Sequence, residues 1–155
     1  PSRNLQRIKI PTDWKLQIIG DGSERKNLEQ FVQENQLQER VTFYGTKTSE
    51  EILELLRRSK IFGFTSLKEA LPTVLLEAMF CGNAIISYNC NYGPSDIVKN
   101  NSGFLIDVNN KEDFIQKLEM LTNSDEKLEK MMENATKEAQ NWKQNEILKK
   151  WQKII

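Results

Sequence analysis

Residues 66–82 have the sequence SLKEALPTVLLEAMFCG, and this stretch decides the kind of fold that the chain adopts. An apolar, strand-like run at residues 61–65 comes directly before it. A helical pattern then starts at Pro72 and stops at Gly82, residue types that suit the first helical position and the position just past the end. The stretch therefore predicts a strand that leads through a short loop into a helix.

Two glutamates mark this stretch, Glu69 in the predicted loop and Glu77 inside the predicted helix. On a helix, Thr73, Glu77 and Phe80 share one face, and Glu77 is the only charge among mostly apolar residues. A carboxylate in such a setting is costly unless it is hydrogen-bonded, for example by hydroxyl groups of a ligand. The helix N-terminus beside it favours phosphate. The pattern indicates a ligand that carries both hydroxyl and phosphate groups.

This constellation resembles the retaining glycosyltransferases of family 4 (group 1), enzymes of the GT-B fold with two Rossmann-like domains. Their C-terminal domain carries a Glu-x7-Glu signature: a loop glutamate, a Gly-Phe/Leu-Pro turn, and a helix that ends Glu-Ala-Met-Ala-Cys-Gly. Glu69 and Glu77 match the two glutamates, residues 71–72 match the turn, and residues 77–82 match the helix end. Ala70 stands where glycine is usual, and it adds a methyl group beside the proposed diphosphate.

The resemblance extends to segments on both sides of this signature. Residues 16–22 look like the family's second strand and glycine turn, residues 41–45 like the next strand, residues 93–98 like its Gly-x-x-Glu-Ile-Val segment, and residues 101–105 like its Asn-Gly-x-Leu strand. Asp96 replaces the usual glutamate of the Gly-x-x-Glu segment, so no role is transferred to it. The match covers nearly the whole chain.

Composition excludes several other functions. The chain has 155 residues, enough for one sizeable core, and its 22 Lys and Arg balance its 22 Asp and Glu. This balance argues against sequence-independent nucleic-acid binding. No apolar run approaches the ~20 residues of a membrane span, and no signal-peptide pattern is present. Cys81 and Cys90 suggest a reduced compartment more than a disulfide framework. We therefore expect a cytoplasmic protein.

Strand-like and helical runs alternate along the chain. The predicted strands are residues 16–19, 41–44, 61–65, 84–87 and 104–106, and the predicted helices, besides the one from Pro72, are residues 23–35, 49–59, 94–99, 111–122, 125–140 and 145–154. This order predicts an α/β fold: a single domain with a Rossmann-like parallel sheet covered by helices on both faces. In such a sheet ligands bind outside the carboxyl ends of the strands, where four loops emerge, at residues 20–23, 44–47, 66–71 and 88–94.

The resemblance implies a role for each residue of the predicted site. Glu77 would bind the ribose hydroxyls of a nucleotide sugar, and Glu69 would contact hydroxyls of the transferred sugar. The backbone amides of Leu71, Thr73 and Val74 would hold the diphosphate, and Tyr44 would lie near the base. The catalytic residues are thus Glu69 and Glu77, and the donor-binding residues are Gly20, Tyr44, Leu71, Pro72, Thr73, Val74 and Glu77.

Each of these residues also has a purely structural interpretation. Glu77 could be a solvated helix residue, and Glu69 could merely favour the helix dipole. Residues 20–22 form only a weak glycine motif, for which a tight turn is the alternative. Tyr44 could be a packed strand end. The two thiols are most simply buried side chains.

The resemblance also indicates what is missing. Nothing before Trp14 matches the family's basic pair after its first strand, so residues 4–10 are predicted to be the tail of the following helix. Residues 1–155 would be a donor-binding domain truncated before or within its first helix, without the N-terminal acceptor domain. No Asp-x-Asp is present and no histidine, so we expect neither a metal nor another cofactor.

The predicted function is that of the donor-binding domain of a retaining, metal-independent glycosyltransferase. Its donor would be a UDP- or GDP-linked sugar and its acceptor a glycan or lipid-linked molecule, as in bacterial polysaccharide biosynthesis. The resemblance leaves open a peripheral contact of the parent enzyme with the inner face of the membrane. One alternative is a GT-B epimerase or phosphorylase domain, which would call for histidines or a cofactor lysine. Another is a non-catalytic flavodoxin-like interaction domain, although residues 88–90 lack the lysine of receiver domains.

Overall fold

The computed structural model describes residues 9–69, 71–91 and 93–143. The strands are β1 (Leu16–Ile19), β2 (Val41–Gly45), β3 (Ile61–Phe64), β4 (Ala84–Tyr88) and β5 (Gly103–Ile106). The helices are α1 (Arg25–Glu34), α2 (Ser49–Arg57), α3 (Thr73–Phe80), α4 (Pro94–Ile97), α5 (Lys111–Thr122) and α6 (Asp125–Gln140). This alternation confirms the predicted α/β class. The predicted helix at residues 145–154 and most of the segment 4–10 lie outside the described residues.

All the strand pairs are parallel, as predicted, but the strands form two sheets. One sheet pairs β1 with β2, and the other has the order β3-β4-β5. The order of elements along a chain does not specify this division, because pairing joins residues that are distant in sequence. In the second sheet Phe64 is opposite Ser87 and Tyr88 is opposite Ile106, so the loops after β3 and β4 leave from the same edge.

Strand β4 is the centre of the core, and all five of its residues are buried. Ile85 belongs to an apolar cluster with Leu75 of α3, Leu56 of α2 and residues of α4 and α6. The next residue, Ile86, belongs to a second cluster with Leu121 of α5 and further residues of α6. Because successive side chains of a strand point to opposite faces, the two clusters cover the two faces of this sheet. The predicted helices on both faces are thereby confirmed.

Helix α3 begins one residue later than predicted. Pro72 is its N-cap, with φ −77° and ψ 84°, and Thr73 is the first helical residue. These angles are close to those of an inverse γ-turn, and the Thr73 N–H donates a hydrogen bond to the Leu71 carbonyl at 2.9 Å. Proline therefore fixes the turn that enters the helix and does not itself belong to the first helical turn.

The C-terminus of α3 follows the prediction closely. Gly82 has φ +84°, a left-handed conformation that glycine adopts without strain. Its N–H donates to the Met79 carbonyl, and the Asn83 N–H donates to the Ala78 carbonyl, both at 3.0 Å. These two bonds form a Schellman motif, which satisfies carbonyls at the end of the helix.

Helix α2 begins with a capping box. The Thr48 side chain accepts a hydrogen bond from the Glu51 N–H, and the Glu51 carboxylate accepts one from the Thr48 N–H. Lys47 Nζ also lies 2.7 Å from Glu51 Oε1. Hydrogen bonds lower the pKa of Glu51 from 4.5 to about 2. The largest effect is that of Lys47, followed by that of the Thr48 backbone N–H.

We expect Glu51→Gln to destabilise the domain at pH 7 and not near pH 2. The pKa of Glu51 is lower in the folded state, about 2 against 4.5, so its stabilising effect is present above pH 4.5 and is lost as the pH falls towards 2. The difference in urea midpoint from the wild type, measured between pH 7 and 3, should be modest and should shrink with falling pH. The control is Glu54→Gln, an exposed carboxylate on the same helix. A difference independent of pH would contradict the role of this ion pair.

Candidate functional site

The structure places the predicted site residues in two groups, each at the carboxyl ends of strands. Gly20 and Tyr44 lie where β1 and β2 end. The other group lies in the loop after β3 and in the first two turns of α3. It consists of Glu69, Leu71, Pro72, Thr73, Val74 and Glu77. Along the chain, β2, α2 and β3 connect the two groups, with β2 in the first sheet and β3 in the second.

The first group is built on two glycine turns. The Gly20 N–H donates to the Gly45 carbonyl at 2.8 Å, and the two glycines have φ of +116° and +67°. A Cβ atom on Gly45 would lie 3.1 Å from Arg25 Nη1, which is a tight contact. Tyr44, next to Gly45, is 37% exposed. Its side chain is therefore not simply packed at the end of the strand.

Arg25, at the start of α1, lies beside this group and was not among the predicted site residues. Its guanidinium lies 2.8 Å from Glu29 and 3.3 Å from Asp21. The hydrogen bond to Glu29 is the largest of the effects that together raise the pKa of Arg25. The spacing of Asp21, Arg25 and Glu29, four residues apart each time, is a signal from which these pairs could have been predicted. Because two carboxylates pair with this cation, it is a poorer partner for a phosphate than an unpaired arginine would be.

The second group begins in the loop after β3. Ser66 and Glu69 are half-buried, whereas Leu67 and Lys68 between them are exposed. Ser66 Oγ lies 2.9 Å from Glu69 Oε1 and 3.1 Å from the Lys68 carbonyl oxygen. The half-buried Glu69 carboxylate is therefore held by a hydroxyl within its own loop, on a residue that no motif of the sequence singled out. The sequence does contain a signal for this contact, because Ser66 follows the strand and lies three positions before Glu69.

Glu77 lies in the second turn of α3 and is half-buried, which is less burial than its apolar neighbours in the sequence suggest. One turn further, Cys81 is partly buried and is a free thiol, as is the buried Cys90. Burial raises the pKa of Cys81, with a smaller opposing effect of Arg57 and a smaller additional effect of Glu77. The Glu77 carboxylate thus lies on a helix surface that is partly open to solvent and to a ligand.

One of the three amides predicted to hold a diphosphate already has a partner. The Thr73 N–H donates to the Leu71 carbonyl at 2.9 Å within the turn at Pro72. A phosphate oxygen at this amide would have to replace or share that bond. The turn must therefore adjust if all three predicted amides are to bind one diphosphate.

Two cavities bear on the size of the site. One of about 130 Å³ lies at the first group, between the end of β2 and α2, lined by Tyr44, Lys47, Glu51, Glu54, Leu55 and Arg58. The other, of about 780 Å³, lies between β5, α5 and α6 and includes Asn101 and Phe104. Asn101 precedes the amino end of β5, so this larger cavity lies at the edge opposite the predicted site. Ligand pockets usually have about 300–1,000 Å³, so the smaller cavity does not enclose a nucleotide sugar.

Two further findings concern the described part of the chain. Among residues 9–69, 71–91 and 93–143, no group of three or more His, Cys, Asp and Glu side chains is arranged to hold a metal ion. None of the helices described is both long enough and apolar enough to cross a bilayer.

Parallel strands with helices on both faces of the larger sheet define a Rossmann-like α/β domain. Comparison with protein families gives a more specific assignment. Residues 3–138 match the family described as "Glycosyl transferases group 1", so the chain belongs to this family. The predicted resemblance and the predicted fold are both confirmed.

Individual relatives agree with the family assignment. An amylovoran biosynthesis glycosyltransferase of Erwinia amylovora is 32% identical over 142 residues, which are 92% of this chain and 40% of the relative. A Staphylococcus aureus TarM variant, solved with fondaparinux, alpha-GlcNAc-glycerol and UDP, is 26% identical with a TM-score of 0.77, over 90% of this chain and 28% of that one. Anabaena HepE, solved with UDP, has a TM-score of 0.74 at 23% identity, over 85% and 37% of the two chains, and shows the shared fold. The chain spans about 40% of the length of the curated relatives it matches first.

Proposed function

We propose that this chain is the donor-binding domain of a retaining glycosyltransferase that takes a sugar from a nucleoside diphosphate. The observation that carries the proposal is the placement of Glu69 and Glu77 on either side of the β3–α3 turn, at the carboxyl edge of a parallel sheet. The family membership of the chain and the UDP bound to TarM support the same assignment.

The two carboxylates have different tasks in this proposal. Glu77, half-buried on α3, accepts hydrogen bonds from the ribose hydroxyls of the donor. Glu69, held in the loop by Ser66, accepts them from hydroxyls of the transferred sugar. Hydrogen bonds to an ionised acceptor are about twice as strong as neutral ones, so two such residues orient the neutral ribose and sugar groups of the donor well.

The remaining residues hold the base and the diphosphate. Tyr44, exposed at the end of β2 beside the Gly20 turn, lies where a base can pack. The N-terminus of α3, with the amides of Leu71, Thr73 and Val74 around Pro72, faces the diphosphate. In the reaction the bond between the sugar and the diphosphate breaks, and the charge that develops on the diphosphate is stabilised by this helix terminus. The acceptor hydroxyl attacks on the face that the diphosphate leaves: its oxygen bonds to the anomeric carbon and its proton passes to the departing diphosphate, so the anomeric configuration is retained.

The acceptor belongs to a part of the protein outside this chain. The cavity beside Tyr44 is too small for a donor. The match covers only 40% of the Erwinia amylovora relative, so most of that protein has no counterpart in this chain. We infer an N-terminal acceptor domain in the same protein and a glycan or lipid-linked acceptor. The name of the Erwinia amylovora relative, an amylovoran biosynthesis enzyme, supports a role in polysaccharide biosynthesis. We further propose a cytoplasmic enzyme, which the resemblance allows to contact the inner face of the membrane.

We expect donor binding to be independent of divalent metal ions. Calorimetry on the full-length protein that carries this domain would compare UDP-linked and GDP-linked sugars, each with EDTA and with excess Mg²⁺ or Mn²⁺. Because the helix terminus and backbone amides replace the metal in our proposal, one of the two donor classes should bind with an affinity that EDTA leaves unchanged. A strict requirement for metal would contradict metal-independent leaving-group stabilisation. Failure of both donor classes to bind would overturn the proposed function.

A further inference from the structure

The loop between β3 and α3 holds an acidic side chain by means of a neighbouring hydroxyl. Of its first four residues, Ser66 and Glu69 are half-buried, and Leu67 between them is 57% exposed. Ser66 Oγ is 2.9 Å from one oxygen of Glu69 and 3.1 Å from the carbonyl of Lys68. The contact with Glu69 joins side chains only three residues apart, so it needs no other element of the fold.

A serine hydroxyl has one proton, and both of its neighbours here can only accept a hydrogen bond. Ser66 can therefore donate fully to either the Glu69 carboxylate or the Lys68 carbonyl. The carboxylate is the nearer acceptor, and hydrogen bonds to a carboxylate are charge-assisted and therefore the stronger kind. Donation to Oε1 orients the carboxyl group, and within the described part of the chain no donor contacts Oε2, which a ligand can therefore approach.

We propose that Ser66 is the positioning residue for Glu69: its hydroxyl holds the carboxylate in the orientation that receives the transferred sugar. This inference rests on the proposed function, because it assigns Ser66 a role only through Glu69. A glutamate has three side-chain torsions, and an unsupported one at a half-open loop samples many orientations. When the carboxylate samples several orientations, the sugar bound to it spends less time in the geometry that reacts.

The test compares Ser66→Ala with Ser66→Thr and with Thr65→Val, which removes the hydroxyl of the exposed neighbouring residue. In the full-length enzyme, Ser66→Ala should lower kcat by about 10-fold, the size expected for one lost hydrogen bond to a charged group. Affinity for UDP alone should stay within about 2-fold, because the nucleotide does not reach Glu69 in this proposal. Ser66→Thr keeps the hydroxyl and should retain most of the activity, and Thr65→Val should behave as the wild type.

A double-mutant cycle with Glu69→Gln decides whether Ser66 acts through Glu69. The variant with both changes should be no slower than Glu69→Gln alone, because the hydroxyl has lost its charged partner. Additive losses, or a loss of UDP affinity in Ser66→Ala as large as the loss of kcat, would overturn the proposal. A Glu69→Gln variant with full activity, in an enzyme that does transfer sugar, would also overturn it. An enzyme that binds no nucleotide sugar at all would instead refute the proposed function.

Discussion

The 155-residue chain by itself is expected to show no measurable sugar transfer, even with the correct donor and acceptor. Holding two substrates in reacting geometry contributes about 7–11 kcal/mol, or roughly 10⁵ to 10⁸ in effective molarity. In our proposal the acceptor is bound by a domain outside this chain. The cavity beside Tyr44, of about 130 Å³, is also too small to enclose a donor. The donor would thus be bound weakly and released without reaction.

The measurement is a transfer assay with a radiolabelled donor, made on the isolated chain and on the full-length protein at equal concentration. Transfer should be found only with the full-length protein. A mixture of the isolated chain and a separately produced N-terminal half is the intermediate case, and any activity there should rise with concentration. Robust turnover by the isolated chain would contradict the division into acceptor and donor domains.

Glu77→Gln is expected to lower the affinity for the nucleotide sugar by about 100-fold. A carboxylate that accepts two ribose hydroxyls makes two charge-assisted hydrogen bonds of about 1.5–3 kcal/mol each, whereas an amide oxygen makes neutral ones of about half that strength. The sum of the differences is about 1.5–3 kcal/mol, and its upper end corresponds to the expected loss, which removes a weakly bound donor from the calorimetric range. Glu77 is half-exposed on the surface of α3, so glutamine should leave the fold unchanged.

The matched control for this variant is Glu129→Gln, an exposed carboxylate on α6 beside the cavity at the opposite edge of the sheet. It loses the same charge and should bind the donor as the wild type does. Thermal melts of both variants should agree with that of the wild type. Unchanged donor affinity in Glu77→Gln would remove this residue from the site.

Local sequence signals predicted the elements well where a side chain terminates them. The helices α5 and α6 have the predicted bounds, and each has a capping side chain at its start, Asn110 and Ser124 respectively. The end of α3 at Gly82 was predictable for the same kind of reason, since the left-handed residue there suits glycine. Helix α4 is shorter than predicted, because Val98 already has an extended backbone.

The features that the sequence did not predict depend on contacts and not on patterns. The division into two sheets is set by pairing between distant strands. The partner of the Thr73 amide is set by the turn at Pro72, and the contact of Ser66 with Glu69 by the path of a loop. Local propensity carries no information on such paths, so the site could be placed by motif while its supporting hydrogen bonds could not.

The difference in burial between the two sheets has a consequence for local unfolding. In β4 every residue is buried, whereas Leu16 and Gln17 of β1 are exposed and α1 buries only Val32. Regions with little buried apolar surface open at lower free energy than the core, often as separate cooperative units. The sheet that carries Gly20 and Tyr44 can therefore open while the sheet behind Glu69 and Glu77 stays folded. Nucleotide that contacts both sheets would stabilise the weaker one and make the domain unfold as one unit.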